Sequence, residues 1–155
     1  ADFGAGKEDD MGEQVRGDVP RVTIEQAQQW LGELFAPWVQ ALGLRVTRIE
    51  PGEAELLMPF SPQLCRVGGT VCGQSLMAAA DTAMVFAIAS GLGEFRPMTT
   101  VNQTTSFLRA IADSDVRIVA RVLKPGRTLT FGEVSMFSAA DGKLAAQVTT
   151  TYAML

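Results

Sequence analysis

Few side chains in this sequence are equipped for chemistry, and they cluster. The longest apolar run, GGTVCGQSLMAAADTAMVFAIASG from Gly68 to Gly91, carries a single carboxylate, Asp81, in its middle. An ionised carboxylate is costly to bury without partners. Asp81 is therefore either a structural acid satisfied by its neighbours or a reactive one set in a dry cleft. Cys72 lies in the same run, just before a helix start, where a thiol can be acidified. The chain contains no histidine, so Cys72 reads either as an unassisted nucleophile or as a small neutral residue. The same absence removes Ser–His and Cys–His catalysis within the chain, histidine general bases and most zinc sites. Gln74 precedes Asp81 by seven residues and shares its helix face, lining either a cleft or a subunit contact.

The element that must carry these residues is helical. From about Gly73 to Ser90 the run is full of strong helix formers with no proline. Such a helix is about 27 Å long and, apolar nearly all round, belongs in a core. Met77, Met84 and Phe86 read as core residues or as the walls of an acyl tunnel. Upstream, residues 1 to 20 are polar and glycine-rich and read as a mobile tail, leaving 21 to 155 as one domain. Thr23 and Gln26 form a capping-box start. Ala27, Trp30, Leu31, Leu34, Phe35 and Trp38 follow at helical spacing, and Pro37 should end or kink that helix near Ala36.

The rest alternates as strands. LGLRVTRIE and EAELLMPF flank Pro51-Gly52, a pair suited to a type II turn. Four further strands are expected at about Met98 to Arg109, Asp115 to Lys124, Arg127 to Ala139 and Lys143 to Met154. Pro125-Gly126 and Asp141-Gly142 supply turns between them, and the four read as a meander. An antiparallel sheet must cover its apolar face, and the helix at 73–90 is the only element long enough. The expected class is α+β, with a curved antiparallel sheet of about six strands wrapped round one long central helix.

Composition narrows the function. A net charge of −4 leaves no broad basic surface for nucleic acid. The apolar run is too polar at its centre and too alanine-rich at its edges for a convincing membrane span. No apolar signal core stands near the N-terminus. The two cysteines, Cys65 and Cys72, make neither a disulfide framework nor a metal cluster. The expectation is a cytoplasmic protein without metal or cofactor, contacting neither nucleic acid nor membrane.

The order of elements resembles the hotdog fold. Cys72-Gly73-Gln74 followed by Ala80-Asp81-Thr82-Ala83 is similar to the His-Gly-Gly … Ala-Asp-Thr-Ala signature of acyl-CoA thioesterases of the phenylacetate-pathway (PaaI-like) type. Ser106-Phe107-Leu108-Arg109 resembles that family's Asp-Phe-Leu-Arg-Pro, and Lys124-Pro125-Gly126-Arg127-Thr128 its Gly-Arg-Thr turn. Asp141-Gly142-Lys143-Leu144-Ala145-Ala146 resembles its Asp-Gly-Lys-Leu-Val-Ala. The resemblance spans roughly residues 23 to 155.

The resemblance implies that Asp81 is a general base or nucleophile and that the Gly73 amide forms an oxyanion hole. Helix-start amides and their partial positive charge do suit a thioester carbonyl gaining negative charge. Gly73 and Asp81 lie about 12 Å apart along one helix, too far to act on one carbonyl. The family's sites lie at a dimer interface, so the resemblance also implies a homo-oligomer, a dimer or dimer of dimers. Thr99 or Thr100, with Thr100 preferred, falls where relatives carry a hydroxyl near the attacking water. Cys72 stands in place of the family's histidine, Gln74 in place of its second glycine, and Arg66 where an Asn or Gln often helps orient substrate or water. Arg109, Lys124 and Arg127 read as solvated strand-end charges, or as cations for the phosphates of coenzyme A.

The expected activity is hydrolysis of medium-chain or aromatic acyl-CoA thioesters. Met77, Ala78, Met84, Val85 and residues near Phe60 to Leu64 are the expected cleft walls, with room beside Ala78, Ala79 and Ala80. A non-catalytic acyl-CoA-binding hotdog module is the alternative. A dehydratase is a weaker third reading, because hotdog dehydratases use a histidine.

Overall fold

The computed structural model describes residues 20–155. The tail expected at residues 1 to 20 lies, apart from Pro20, outside the described residues. Helix α1 (Ile24–Leu34) begins at Thr23, whose side chain accepts from the Gln26 amide while the Gln26 side chain accepts from the Thr23 amide. Both amides would otherwise lack intrahelical partners. The helix stops before Pro37, which opens a second short helix, α2 (Pro37–Gln40). The strands are β1 (Arg45–Glu50), β2 (Glu53–Met58), β3 (Met98–Phe107), β4 (Val116–Lys124), β5 (Leu129–Ser138) and β6 (Leu144–Met154). Helix α3 (Gly73–Leu92) ends on Gly93, which is left-handed at φ 77° as a Cβ-free residue permits.

The six strands form one antiparallel sheet in the order β1-β2-β4-β5-β6-β3. The expected four-strand meander is therefore corrected. Of those four strands only β4, β5 and β6 follow one another as hairpins; β3 pairs with β6 at the far edge, and β4 pairs with β2. The physical reason is the connection between β3 and β4, which has no tight-turn pair. It crosses the end of the sheet instead, bridging Thr70 to Ala112 and accepting the Val71 amide on the Ile111 carbonyl.

The inward face of the sheet is the one its alternation predicts. Ala54, Leu56, Met58, Val116, Ile118, Ala120, Val134 and Val148 are all buried. Ala79, Ala80, Ala83 and Ala87 of α3 are fully buried against that face, and their small side chains let the helix axis approach the sheet. Gly132 of β5 makes room in the same way: a Cβ there would come within 2.5 Å of the Met84 sulfur. One helix among the described residues, α3, is long and apolar enough to cross a membrane, but 67% of that window is buried inside the domain.

The turn between β4 and β5 yields a stability prediction. A Cβ on Gly126 would lie 1.9 Å from the Leu129 carbonyl oxygen, a backbone atom that cannot swing away. Gly126→Ala is expected to lower stability by about 2 kcal/mol, or about 4–8 °C in Tm for a chain of this size. Gly32→Ala in α1, with nothing within 4 Å of the new methyl, should be neutral or stabilising by about 0.5–1 kcal/mol. Thermal melts of the two variants beside the parent protein check this, and equal melting points would contradict it.

Candidate active site

Asp81 sits midway along α3 on the helix face turned toward the β3 edge, half-buried rather than enclosed. The Thr100 hydroxyl of β3 donates to Asp81 Oδ1 at 2.7 Å. The Tyr152 hydroxyl of β6 lies 2.8 Å from the Asp81 carbonyl oxygen and also donates to Oδ1. Asp81 Oδ2 has no hydrogen-bond partner among the described residues. Burial, then the charge and hydrogen bond of Asp81, push the Tyr152 phenol well above its ordinary value. It therefore stays a neutral donor.

Asp81 opens into a cavity of about 470 Å³. Helix α3 supplies Met77, Ala78 and Val85, β3 supplies Gln103, and the α1–α2 corner forms a partial roof over this open cleft with Phe35 and the exposed Trp38. That corner is anchored by Phe35 against Phe86, with ring centroids 5.6 Å apart, and by Trp30 against Phe95 at 5.9 Å. Tilted pairs at such spacing add to simple area burial. Gln103 Nε2 donates to the Met77 carbonyl at 2.9 Å, while its Oε1 is buried without a partner among the described residues.

Gly73 faces a different cavity, of about 390 Å³, at the start of α3. As the first residue of the helix its amide has no intrahelical acceptor. The Phe107 ring packs on it so closely that a Cβ on Gly73 would lie 3.1 Å from the ring. Arg66 and Arg109 line this same cavity. Cys72 is the residue preceding the helix, where its carbonyl accepts from the Ser75 hydroxyl at 2.8 Å. Burial pushes its thiol up, but hydrogen bonds from Ser75 and nearby amides outweigh that and leave it below the ordinary thiol value.

The sequence-derived residues thus fall into two groups on one chain. Asp81, Thr100 and Gln74 share one cavity, and Gly73, Arg66 and Arg109 share the other. Lys124 and Arg127 lie at the β4–β5 turn and line neither. That turn adjoins the Asp81 end of the sheet, where Thr130 pairs with Tyr152. Two expected cleft walls are corrected within the chain. Met84 is fully buried beneath Gly132, and Phe60 lines a separate shallow cavity beside Asp115. Sequence reasoning missed Tyr152, Gln103 and the roof residues. One signal was available for the first: the chain's lone tyrosine lies on the inward parity of β6, and a buried phenol needs a hydrogen-bond partner.

A six-stranded antiparallel sheet wrapped round one long central helix is the hotdog fold, and the family that the chain matches makes it a thioester hydrolase. The chain belongs to the thioesterase superfamily, whose family model it matches over residues 68–145. It is similar to the conserved protein PA5202 of Pseudomonas aeruginosa, at 31% identity over 80% of this chain and 98% of that one, with a TM-score of 0.74. It is similar to zebrafish thioesterase superfamily member 2, at 27% identity over 86% and 99% of the two chains, with a TM-score of 0.76. A mutant form of the phenylacetic acid degradation protein PaaI from Thermus thermophilus matches at 28% identity over 77% of this chain and all 100% of that one, with a TM-score of 0.69. The PaaI-like resemblance read from the sequence holds.

Proposed function

We propose that this thioester hydrolase acts on medium-chain or aromatic acyl-CoA, at a site completed by two copies of the chain. The observation that carries the reading is the Asp81 cavity: a carboxylate with one oxygen bonded and the other without a partner among the described residues, set beside an apolar chamber. Asp81 either takes a proton from water as its oxygen attacks the thioester carbonyl, or attacks that carbon itself. The carbonyl oxygen, as it gains charge, is met by the Gly73 amide. The carbon–sulfur bond then breaks, and coenzyme A leaves as a thiolate that takes up a proton; where Asp81 is itself the nucleophile, water next opens the acyl–Asp81 anhydride, releasing the acid and restoring the carboxylate.

Two copies are needed because Asp81 and Gly73 open into separate cavities of one chain. The free edge strand β3 supports a pairing surface. It ends the sheet, is ten residues long, and exposes Val101 and Phe107, with Met77 of α3 also exposed. Such an edge is an invitation to pair. Arg66 and Arg109 beside Gly73, and Lys124 and Arg127 at the Asp81 end, are the proposed cations for the coenzyme A phosphates. Cys72 and Gln74 complete the substrate contacts. A metal-free site, a cytoplasmic location and a single domain over 21 to 155 remain part of the proposal.

The test is a panel of acyl-CoA thioesters scored by kcat/KM from thiol release. Neighbouring medium chain lengths should differ only about 5–150-fold per methylene or less, as an apolar pocket allows. Phenylacetyl-CoA should fall within that active group, and succinyl-CoA should be at least about 10²-fold poorer, because the chamber's lining offers its second carboxylate no cation and sets it near Asp81. A preference for succinyl-CoA would overturn the apolar chamber as the acyl site and point to Arg66 as a carboxylate clamp.

A further inference from the structure

We propose that Tyr152 is a positioning residue for Asp81, holding one carboxylate oxygen so that the other is presented to the cavity; this rests on Asp81 being the hydrolytic acid. The phenol is placed by the sheet and not by the helix it serves. In register, Tyr152 of β6 lies between Thr100 of β3 and Thr130 of β5. Thr100 and Tyr152 are thus cross-strand neighbours, and both hydroxyls converge on Asp81 Oδ1. The Tyr152 side chain is only 1% exposed, so the donor cannot swing out into water.

The fork made by Tyr152 is the distinctive feature. Its hydroxyl reaches both the main-chain carbonyl and the side-chain carboxylate of the same residue. A partner for the carbonyl alone would satisfy a buried phenol. Reaching the carboxylate as well ties Oδ1 down over the residue's own backbone and restricts the side-chain torsions. Oδ2, without a partner among the described residues, is then the oxygen left for water or substrate. A preformed geometry of this kind acts on the chemical step and not on binding. Because burial and the adjacent carboxylate keep the phenol protonated, the donor is available whenever Asp81 is ionised.

The test compares Tyr152→Phe, Asp81→Asn and the double variant by kcat, KM and thermal melting. Tyr152→Phe keeps the ring and removes the donor. It is expected to lower kcat about tenfold, with KM changed by less than about twofold. In the Asp81→Asn background the same change is expected to have no further effect on residual turnover, since the residue it acts through is gone. A wild-type kcat in Tyr152→Phe beside an inactive Asp81→Asn overturns the role of Tyr152 and leaves Asp81 in place. A full tenfold loss persisting in the Asp81→Asn background overturns it too, because that loss would be structural. Wild-type turnover in Asp81→Asn removes the hydrolytic acid itself, a separate failure. A second measurement needs no loss of the hydroxyl. With one tyrosine in the chain, 3-fluorotyrosine labels that position alone. Its fluorine resonance is expected to move on Asp81→Asn, and an unmoved resonance overturns the contact.

Discussion

Replacing Asp81 by Ala is expected to lower kcat by about 10²–10⁴-fold, the range a positioned acid–base group contributes. The protein should remain folded. Asp81 is only half-buried, and alanine is the better helix former at the middle of α3. Removing the carboxylate does not strand its partners. The Thr100 side chain is at an exposed position and can turn to water, while the Tyr152 hydroxyl keeps the main-chain carbonyl at residue 81, 2.8 Å away. The stability change should therefore stay within about 1 kcal/mol. Thiol release from the best acyl-CoA of the panel, beside a thermal melt, separates the two effects. Wild-type turnover in a folded Asp81→Ala protein would falsify the assignment. Single turnover in ¹⁸O-labelled water then distinguishes base from nucleophile. Label found in the Asp81 carboxylate identifies a nucleophile whose anhydride water opens at the Asp81 carbon, since a general base takes up none.

The second large effect concerns sharing of the site between copies. Gly73→Val should abolish activity, because even the first carbon of a side chain meets the Phe107 ring at 3.1 Å and crowds the amide's cavity. Asp81→Ala lowers it about 10²–10⁴-fold from the middle of the same helix. In a hybrid dimer of one Gly73→Val chain and one Asp81→Ala chain, both lesions fall in one site and the other site is intact. Dimers isolated through two different affinity tags should thus recover about half the wild-type kcat, as two-fold symmetry dictates. A site held within one chain predicts no recovery at all. Sedimentation at micromolar concentration supplies the companion measurement. A fully active monomer would exclude the shared site and leave the exposed β3 edge unexplained.

Much of this was legible locally. Helix α3 needs only helix formers free of proline and an apolar surface all round, and the sequence displays both from Gly73 onward. The start of α1 at Thr23 and the break at Pro37 follow from capping and from a missing amide, which are properties of a few adjacent residues. Strand parity is equally local, so the inward sets at Ala54–Met58 and Val116–Ala120 could be assigned one by one. Turn chemistry at Pro51-Gly52, Pro125-Gly126 and Asp141-Gly142 joined the right strands. Asp81 stood out because a lone carboxylate in an apolar run is energetically conspicuous anywhere.

Tertiary structure alone decided what lies beside what. Strand β3 carries no mark saying that it pairs with β6 and not with β4. Pairing partners are set by where the crossing loop at 108–115 leads the chain, and by which inward faces fit α3 together. Tyr152 comes to Asp81 from 71 residues away through that pairing, so no spacing rule in the sequence could link them. The aromatic roof arises likewise: Phe35 and Trp38 reach the cavity only because the α1–α2 corner docks on Phe86. Composition and periodicity are properties of one segment, whereas a site is assembled from several. The sequence determined the helix, the strands and the acid, and the packing of sheet on helix decided which hydroxyls hold that acid and which side chains enclose it.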